Sequence, residues 1–366
     1  MNETCTHCGA VHPSGELTPF QDGQFCPSCL SEHTILCDHC HTRIWVNDDI
    51  GEGDTALCRS CHDNHYTYCT TCDALISNSN ACYEEDSDEP YCYSCYEGSS
   101  EHCAIHSYNH KPEPVFYGEG NRFYGVELEI DGGGERSDYA RILLDVANAD
   151  KPYLYIKHDG SLDCGLELVT HPLSFEVHQK EMPWQAVLEK AHSLHYLSHQ
   201  ARTCGLHIHV NRSSFGSDQE EQEAAIARIL YFVENHWLEL LRFSRRTENQ
   251  MNQWAARYGR KDSPKEVLDT AKNRYGRYTC VNLTNYDTIE FRMFRGTLKY
   301  NTLIATLQLV NEICRVAVSL SDAELDGLSW SGFVEQLDTD SLPELVQYLR
   351  ERRLFVNEPV ASGEEV

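Results

Sequence analysis

GVELEI at 125–130 alternates Val126, Leu128 and Ile130 with Glu127 and Glu129. Side chains on a strand point to opposite faces at every second residue, so this segment reads as a strand with one apolar face and one carboxylate face. Two later segments repeat the pattern. GLHIHV (205–210) alternates Leu206, Ile208 and Val210 with His207 and His209, and IEFRMFRGT (289–297) alternates Ile289, Phe291 and Met293 with Glu290 and Arg292. HDGSLDCGLELVT (158–170) adds Asp159 and Glu167. A merely solvated sheet face mixes Thr, Lys, Ser and Gln. These faces carry Glu-x-Glu, His-x-His and Glu-x-Arg, residue types that ligate metals and bind phosphate. The pattern points to an enzyme.

Around these strands the periodicity predicts further strands at 153–157, 166–170 and 278–283. It predicts helices at about 138–149, 183–199, 218–242, 301–320 and 342–353. Strands and helices mix without a regular βαβα alternation, so the fold class is α+β with a mainly antiparallel sheet. The domain starts near Glu119 and runs to 320, followed by a helical extension over 321–366 with an acidic end. Residues 99–118 are polar, carry Pro112 and Pro114, and read as a linker.

The N-terminal 98 residues contain a repeat. Cys5 and Cys8 pair with Cys26 and Cys29, Cys37 and Cys40 with Cys58 and Cys61, and Cys69 and Cys72 with Cys92 and Cys95. The units begin at 5, 37 and 69, a period of 32 residues. Each Cys-x-x-Cys places two thiolates on one tight turn, and a second pair completes a tetrahedral Zn2+ site. Three tandem structural zinc modules of treble-clef or ribbon type are expected, with pairing within a unit or cross-braced between units both open. Cys82 and the group His102, Cys103 and His106 read as one packed cysteine and a polar linker, or as a partial fourth site.

Of 366 residues, 18 are Cys, and their spacing indicates metal rather than disulfides, which suits a reducing cytoplasmic compartment. Residues 1–120 hold 20 acidic against 3 basic residues, a net of −17 within the total of −27. That balance works against a nucleic-acid partner, which needs clustered Lys and Arg. It favours docking of a protein on the zinc modules. No apolar run is read as a membrane span, and the N-terminus shows no signal pattern.

At the four motifs the chain resembles the amidoligase family, carboxylate–amine ligases of the glutamine synthetase and γ-glutamylcysteine ligase fold. The ordered set Glu-x-Glu, Asp-x7-Glu, His-x-His and Glu-x-Arg carries the resemblance, over about 123–320. It implies a glutamine-synthetase-like sheet and an ATP- and Mg2+- (or Mn2+-) dependent reaction. Glu129, Asp159 and Glu167 would then hold the metal nearer the acceptor, and Glu127, His207 and Glu290 the metal on the ATP phosphates. His209 would face the γ-phosphate, with Arg292 and Arg295 on the transferring group. Synthetases of this type carry Glu where this chain has Asp159, one methylene shorter. The substrates would be a carboxylate and an amine, peptide or protein among them.

Two other readings stand beside this one. A two-metal hydrolase would use His207 and His209, but hydrolases with His-x-His favour a (β/α)8 barrel with more histidines on later strands. A zinc-finger adaptor with an inactive ligase domain is the other. Individually, Lys157 reads as a phosphate contact or, more commonly for a lone lysine, a solvated strand end, and Arg245 and Arg246 read as cations at a helix C-terminus. Asn282 binds substrate or caps a sheet edge. Cys164, Cys204, Cys280 and Cys314 read as packing residues.

Overall fold

Three hairpins, each folded over a Cys-x-x-Cys turn, recur along the N-terminal third of the computed structural model. The structure describes residues 2–13, 15–53, 55–70, 72–83, 88–98, 104–274 and 276–355, so His102, Cys103 and the acidic end at 361–366 lie outside the described residues. It divides into two units, Met1–Cys103 and Ala104–Val366.

In the first unit the hairpins pair Asn2–Thr4 with Val11–Pro13, Thr34–Leu36 with Arg43–Trp45, and Tyr66–Tyr68 with Leu75–Ser77. Each second cysteine pair opens a short helix: Pro27–His33, Arg59–His65 and Tyr93–Gly98. The period of 32 reaches the backbone. Gly9, His41 and Asp73 all take the left-handed conformation, at φ 73, 57 and 55. Their N–H groups donate to the carbonyls of Cys5, Cys37 and Cys69. The first helix runs directly into the second hairpin at Thr34, and Trp45 of that hairpin packs back on Phe20 and Phe25 of the first repeat.

The second unit is built on one antiparallel sheet. Its strands are β1 (Phe123–Asp131), β2 (Leu154–Lys157), β3 (Gly165–Thr170), β4 (Leu173–Ser174), β5 (Gly205–Asn211), β6 (Val281–Asn282) and β7 (Thr288–Arg295). The order is β2-β3-β1-β5-β7-β6, with β4 also paired to β1. On one face Tyr124, Val126, Leu128 and Ile130 meet Leu206, Ile208 and Val210, then Ile289, Phe291 and Met293, all fully buried. The same core contains Leu303, Leu307 and Val310 of the long helix Tyr300–Ser319. Tyr124 clips strand to helix through its hydroxyl, which donates to Asn311 at 2.7 Å. Burying this face in an apolar core is the dominant favourable term in holding the unit together.

Several expectations are corrected here. Residues 104–118 are not a linker. Ala104 and Ile105 are buried, His106 N–H donates to Ile156 O at 2.8 Å, and Tyr117 N–H to Pro172 O at 3.0 Å. The stretch after 320 is not an appendage, since Leu345, Tyr348 and Leu349 of helix Pro343–Glu351 belong to the main core. The helix expected over 218–242 breaks at His236 into Gln219–Asn235 and Trp237–Ser244. The His236 ring packs there against Phe232 and Trp330. Tyr300–Ser319 is long and apolar enough to cross a membrane by length and composition, which the sequence reading overlooked. It is a core helix, with 78% of its apolar window buried. Cys204, Cys280 and Cys314 are buried as expected for packing residues, whereas Cys164 is exposed.

Candidate metal and ligase site

The polar face of the sheet in the second unit carries three adjacent rungs of chemistry. In the first, Lys157 lies opposite Glu167, and Glu167 opposite Glu129. In the second, Glu127 lies opposite His207. In the third, Gly125 faces His209, His209 faces Glu290, and Glu290 faces Asn282. Alternation on six neighbouring strands therefore converges these side chains.

His207 is the hub. Its Nδ1 lies 3.3 Å from Glu127 Oε2 and 3.7 Å from Glu290 Oε1, and its Nε2 lies 3.9 Å from Glu129 Oε1. His209 Nε2 is 3.3 Å from Glu127 Oε1 and 3.9 Å from Glu290 Oε1. Glu290 also accepts from Asn282 Nδ2 at 2.8 Å and from the guanidinium of Arg292. Lys157 Nζ is 2.9 Å from Glu167 Oε2, with both residues buried. Lys157 is thus not a solvated strand end, because the strand beside it supplies a carboxylate.

The electrostatics follow from this crowding. Burial pushes Glu127 and Glu290 upward, but His209 and His207 outweigh it and hold both carboxyls below their ordinary value. Burial opposes charge on His209, yet Glu127 and Glu290 raise it to about 9. Glu167 moves the other way, raised to about 8 by burial and by Glu127 against the pull of Lys157. His209 Nε2 and Arg292 Nε are buried without a well-formed hydrogen bond. Glu167 Oε2 meets Lys157 as an ion contact rather than an aligned hydrogen bond.

One ligand atom each from Glu127, His207 and Glu290 lie within 4.8 Å of one another, and the same holds for Glu129, Glu167 and His207. Carboxylate oxygens with a single imidazole suit Mg2+ or Mn2+. The two carboxylates and one imidazole of Glu127, His207 and Glu290 fit such an ion.

The other expected residues are distributed less evenly. Asp159 lines the same cavity of about 340 Å³, but its Oδ1 accepts from Ser161 N–H at 2.7 Å, so it caps its own turn. The Arg295 guanidinium donates to the His199 carbonyl, and Arg295 is absent from the described cavity wall. Arg246, Arg202, Arg277, Tyr108, Trp254 and Tyr278 line the cavity without having been anticipated. Arg246 carried a signal in the Arg245–Arg246 pair after a helix. Arg245 takes the left-handed conformation at φ 61, and Arg246 donates to Phe294 O at 3.1 Å. Tyr108, Tyr278 and Trp254 sit in loops or at a helix end, where no periodicity reports them. Beyond His209 lies a larger cavity of about 970 Å³, lined among others by Phe116, Phe123, Ile226 and Leu283.

In the first unit the four thiols of each repeat lie within 4.8 Å of one another, and the groups form within repeats, not between them. Sγ–Sγ separations of 3.9 Å (Cys8–Cys26), 3.9 Å (Cys40–Cys58) and 3.7 Å (Cys72–Cys92) match the edge of about 3.8 Å that tetrahedral bonds of ~2.3 Å require. Backbone N–H groups of Cys8 and Cys26 pull the Cys5 thiol down to about 5, while burial and the neighbouring thiols push Cys29 upward. The three tetrads fit zinc.

Residues 142–314 match the family described as "Putative amidoligase enzyme", just under half of the chain. Asp159, Glu167, His207, His209, Glu290, Arg292 and Arg295 fall inside the match, and Glu127 and Glu129 precede it. The family likeness supports a ligase-type reaction. No curated protein matches. Among solved structures, a bifunctional glutathione synthetase from Pasteurella multocida is similar at 13% identity and a TM-score of 0.34. The likeness covers 63% of this chain and spans 46% of that protein's length, too slight to carry fold or function.

Proposed function

We propose that this protein is an ATP- and Mg2+-dependent carboxylate–amine ligase of glutamine-synthetase-like fold, forming an amide or isopeptide bond through an acyl phosphate. The observation that carries the reading is the convergence of Glu127, His207 and Glu290 on one ion-sized space beside Arg292. Joining a carboxylate to an amine is uphill in water, so the carboxylate is first phosphorylated. Phosphoryl transfer is mainly positioning and charge neutralisation.

Glu127, His207 and Glu290 would hold the divalent ion, whose contribution when bound is to neutralise the phosphate oxygens. Arg292, kept in place by Glu290, presents a planar fork to the transferring group. His209, charged at neutral pH by its two carboxylate neighbours, lies where the two cavities meet and faces the same phosphate. The larger cavity has room for the rest of the nucleotide, and the smaller one receives the carboxylate and the amine. The zinc modules act as docking elements for a protein partner, in the cytoplasm, where thiols stay reduced.

The test is an ATP-consumption screen of the full chain against pooled amino acids, polyamines and peptides, with mass spectrometry of the products. The expected result is phosphate release that needs both a carboxylate and an amine, with a product lighter by one water than the two together. Amide cleavage without nucleotide would instead establish the hydrolase reading.

A further inference from the structure

We infer that Asp131 is a positioning residue for the carboxylate-binding end of the smaller cavity, latching the loop between β2 and β3 to the segment that leads into β5. The inference rests on the ligase reading for its purpose, while the latch itself is local geometry. Asp131 is the third acidic residue on the polar face of β1, after Glu127 and Glu129, and alternation alone would offer it as a further metal ligand. Its hydrogen bonds commit it elsewhere. Oδ1 accepts from the N–H groups of Gly132 at 2.7 Å and Cys164 at 2.8 Å. Oδ2 accepts from the Asp163 N–H at 3.1 Å and from the Thr203 hydroxyl at 2.7 Å. An ionised carboxylate offers about four lone-pair positions, and these donors fill them. Asp131 is buried, and burial works against its charge. The Thr203 hydroxyl and the backbone N–H groups outweigh that and hold the carboxyl below its ordinary value.

The latch joins three chain segments that reach the cavity. Asp163 and Cys164 end the loop that carries Asp159 and Ser161 to the cavity wall, and they deliver Gly165, the first residue of β3, on which Glu167 follows. Thr203 lines the same cavity and stands just before Gly205, where β5 begins. Return bonds fix the corner from the other side. Cys164 O accepts from the Gly132 and Gly134 N–H groups at 3.0 and 3.1 Å, and Asp131 and Leu197 exchange backbone bonds at 2.8 Å. Gly165 has no space for a side chain, since a Cβ there would lie 3.0 Å from Asp131 Oδ1 and against the Ile130 carbonyl. The corner is thus built around the carboxylate, and it fixes Asp159, Glu167 and Thr203 relative to Glu129. None of the donors to Asp131 belongs to the Glu127, His207 and Glu290 set, so loss of the latch falls on the carboxylate substrate rather than on the nucleotide.

The experiment combines hydrogen-exchange mass spectrometry of the full-length chain alone with steady-state kinetics on ATP and the carboxylate–amine pair that gives product in the screen. Asp131→Asn replaces an acceptor oxygen by a donor, Thr203→Val removes one hydroxyl, and Thr203→Ser keeps it. Asp131→Asn and Thr203→Val are expected to raise KM for the carboxylate about tenfold or more, with KM for ATP held within about twofold, and Thr203→Ser should keep the wild-type KM. In the chain alone, exchange in Asp131→Asn should speed up across 159–165 and keep the wild-type rate across β7. A fall in kcat with both KM values unchanged is what a merely structural role predicts, and it would overturn the inference. Equal rises in the two KM values, or wild-type exchange across 159–165, would do the same. If Asp131→Asn does not fold, Thr203→Val against Thr203→Ser decides. Absence of ATP turnover with every pool would end the ligase reading and the purpose of the latch with it, whereas the exchange measurement needs no substrate, so the two failures are read separately.

Discussion

Gly205 and Arg295 face each other across β5 and β7, although simple alternation would have turned Arg295 into the apolar core. Leu206 pairs with Phe294 while Ile208 already pairs with Phe291, so Arg292 and Met293 share the position opposite His207. This is a β-bulge, which adds one residue to a strand and shifts its phase. Because of it both Phe291 and Phe294 are buried, and Arg295 returns to the polar side.

The bulge leaves no room above Gly205. An added Cβ would lie 2.7 Å from His207 Nε2 and 2.8 Å from Arg246 Nη2. Gly205→Ala should therefore displace the hub histidine and reduce ATP turnover at least tenfold, while costing about 1 kcal/mol of stability. Steady-state kinetics beside a melting curve would check it, and unchanged turnover would remove Gly205 from the site.

Glu290→Gln keeps the shape and still accepts from Asn282, but removes a charge from the proposed ion site. Turnover and Mn2+ affinity should fall by orders of magnitude with little change in Tm. Arg292→Lys should fail comparably, since a point charge does not reproduce the fork. Near-normal kcat in both variants, measured with a confirmed substrate, would refute the phosphoryl-transfer role.

Purified protein should carry three zinc ions per chain by native mass spectrometry, and Cys37→Ser should carry two. Each site is worth roughly 10–16 kcal/mol of binding energy that becomes folding energy. Chelation should abolish the N-terminal melting transition and leave that of the second unit, whose described core has no such cysteine tetrad. Fewer than two zincs per chain would be incompatible with the tetrads.

His178 provides a pH test away from the site. It is fully buried, its Nε2–H donates to Tyr124 O at 3.0 Å, and its Nδ1 accepts from Trp184 Nε1 at 3.2 Å. Burial holds its pKa down at about 4, against an ordinary 6.5. With the folded value depressed, its contribution is complete above pH 6.5 and is lost as pH falls toward 4. The loss is on the order of 3 kcal/mol. Denaturant titrations between pH 7 and 4 should show this slope in the wild type and a flatter one in His178→Gln. Equal slopes would show that other groups set the acid sensitivity.

How much of this was legible depended on locality. Glu127, Glu129, His207 and Glu290 were readable because each strand keeps its period of two around them. The Arg295 position was not, because a bulge is decided by the pairing strand rather than by the strand's own residues. Lys157 looked solvated because its partner, Glu167, lies ten residues away on another strand. Tyr108 was hidden in a polar, proline-bearing stretch whose order comes from hydrogen bonds to the sheet, as at His106 and Ile156. Arg246 was readable as a cation, but its direction was set by the left-handed turn at Arg245.

The contact of Trp45 with Phe20 and Phe25 gives the cysteine array a direction. The leading module borrows an aromatic lid from its successor, reinforced by the indole N–H donating to Gln21 at 2.9 Å. Damage should therefore spread toward the N-terminus more readily than away from it. Losing the second module strips the first of its lid, whereas losing the first leaves the cysteine tetrad of the second complete. Any change in the number of modules would then be tolerated best at the leading end, where no later core depends on what is removed.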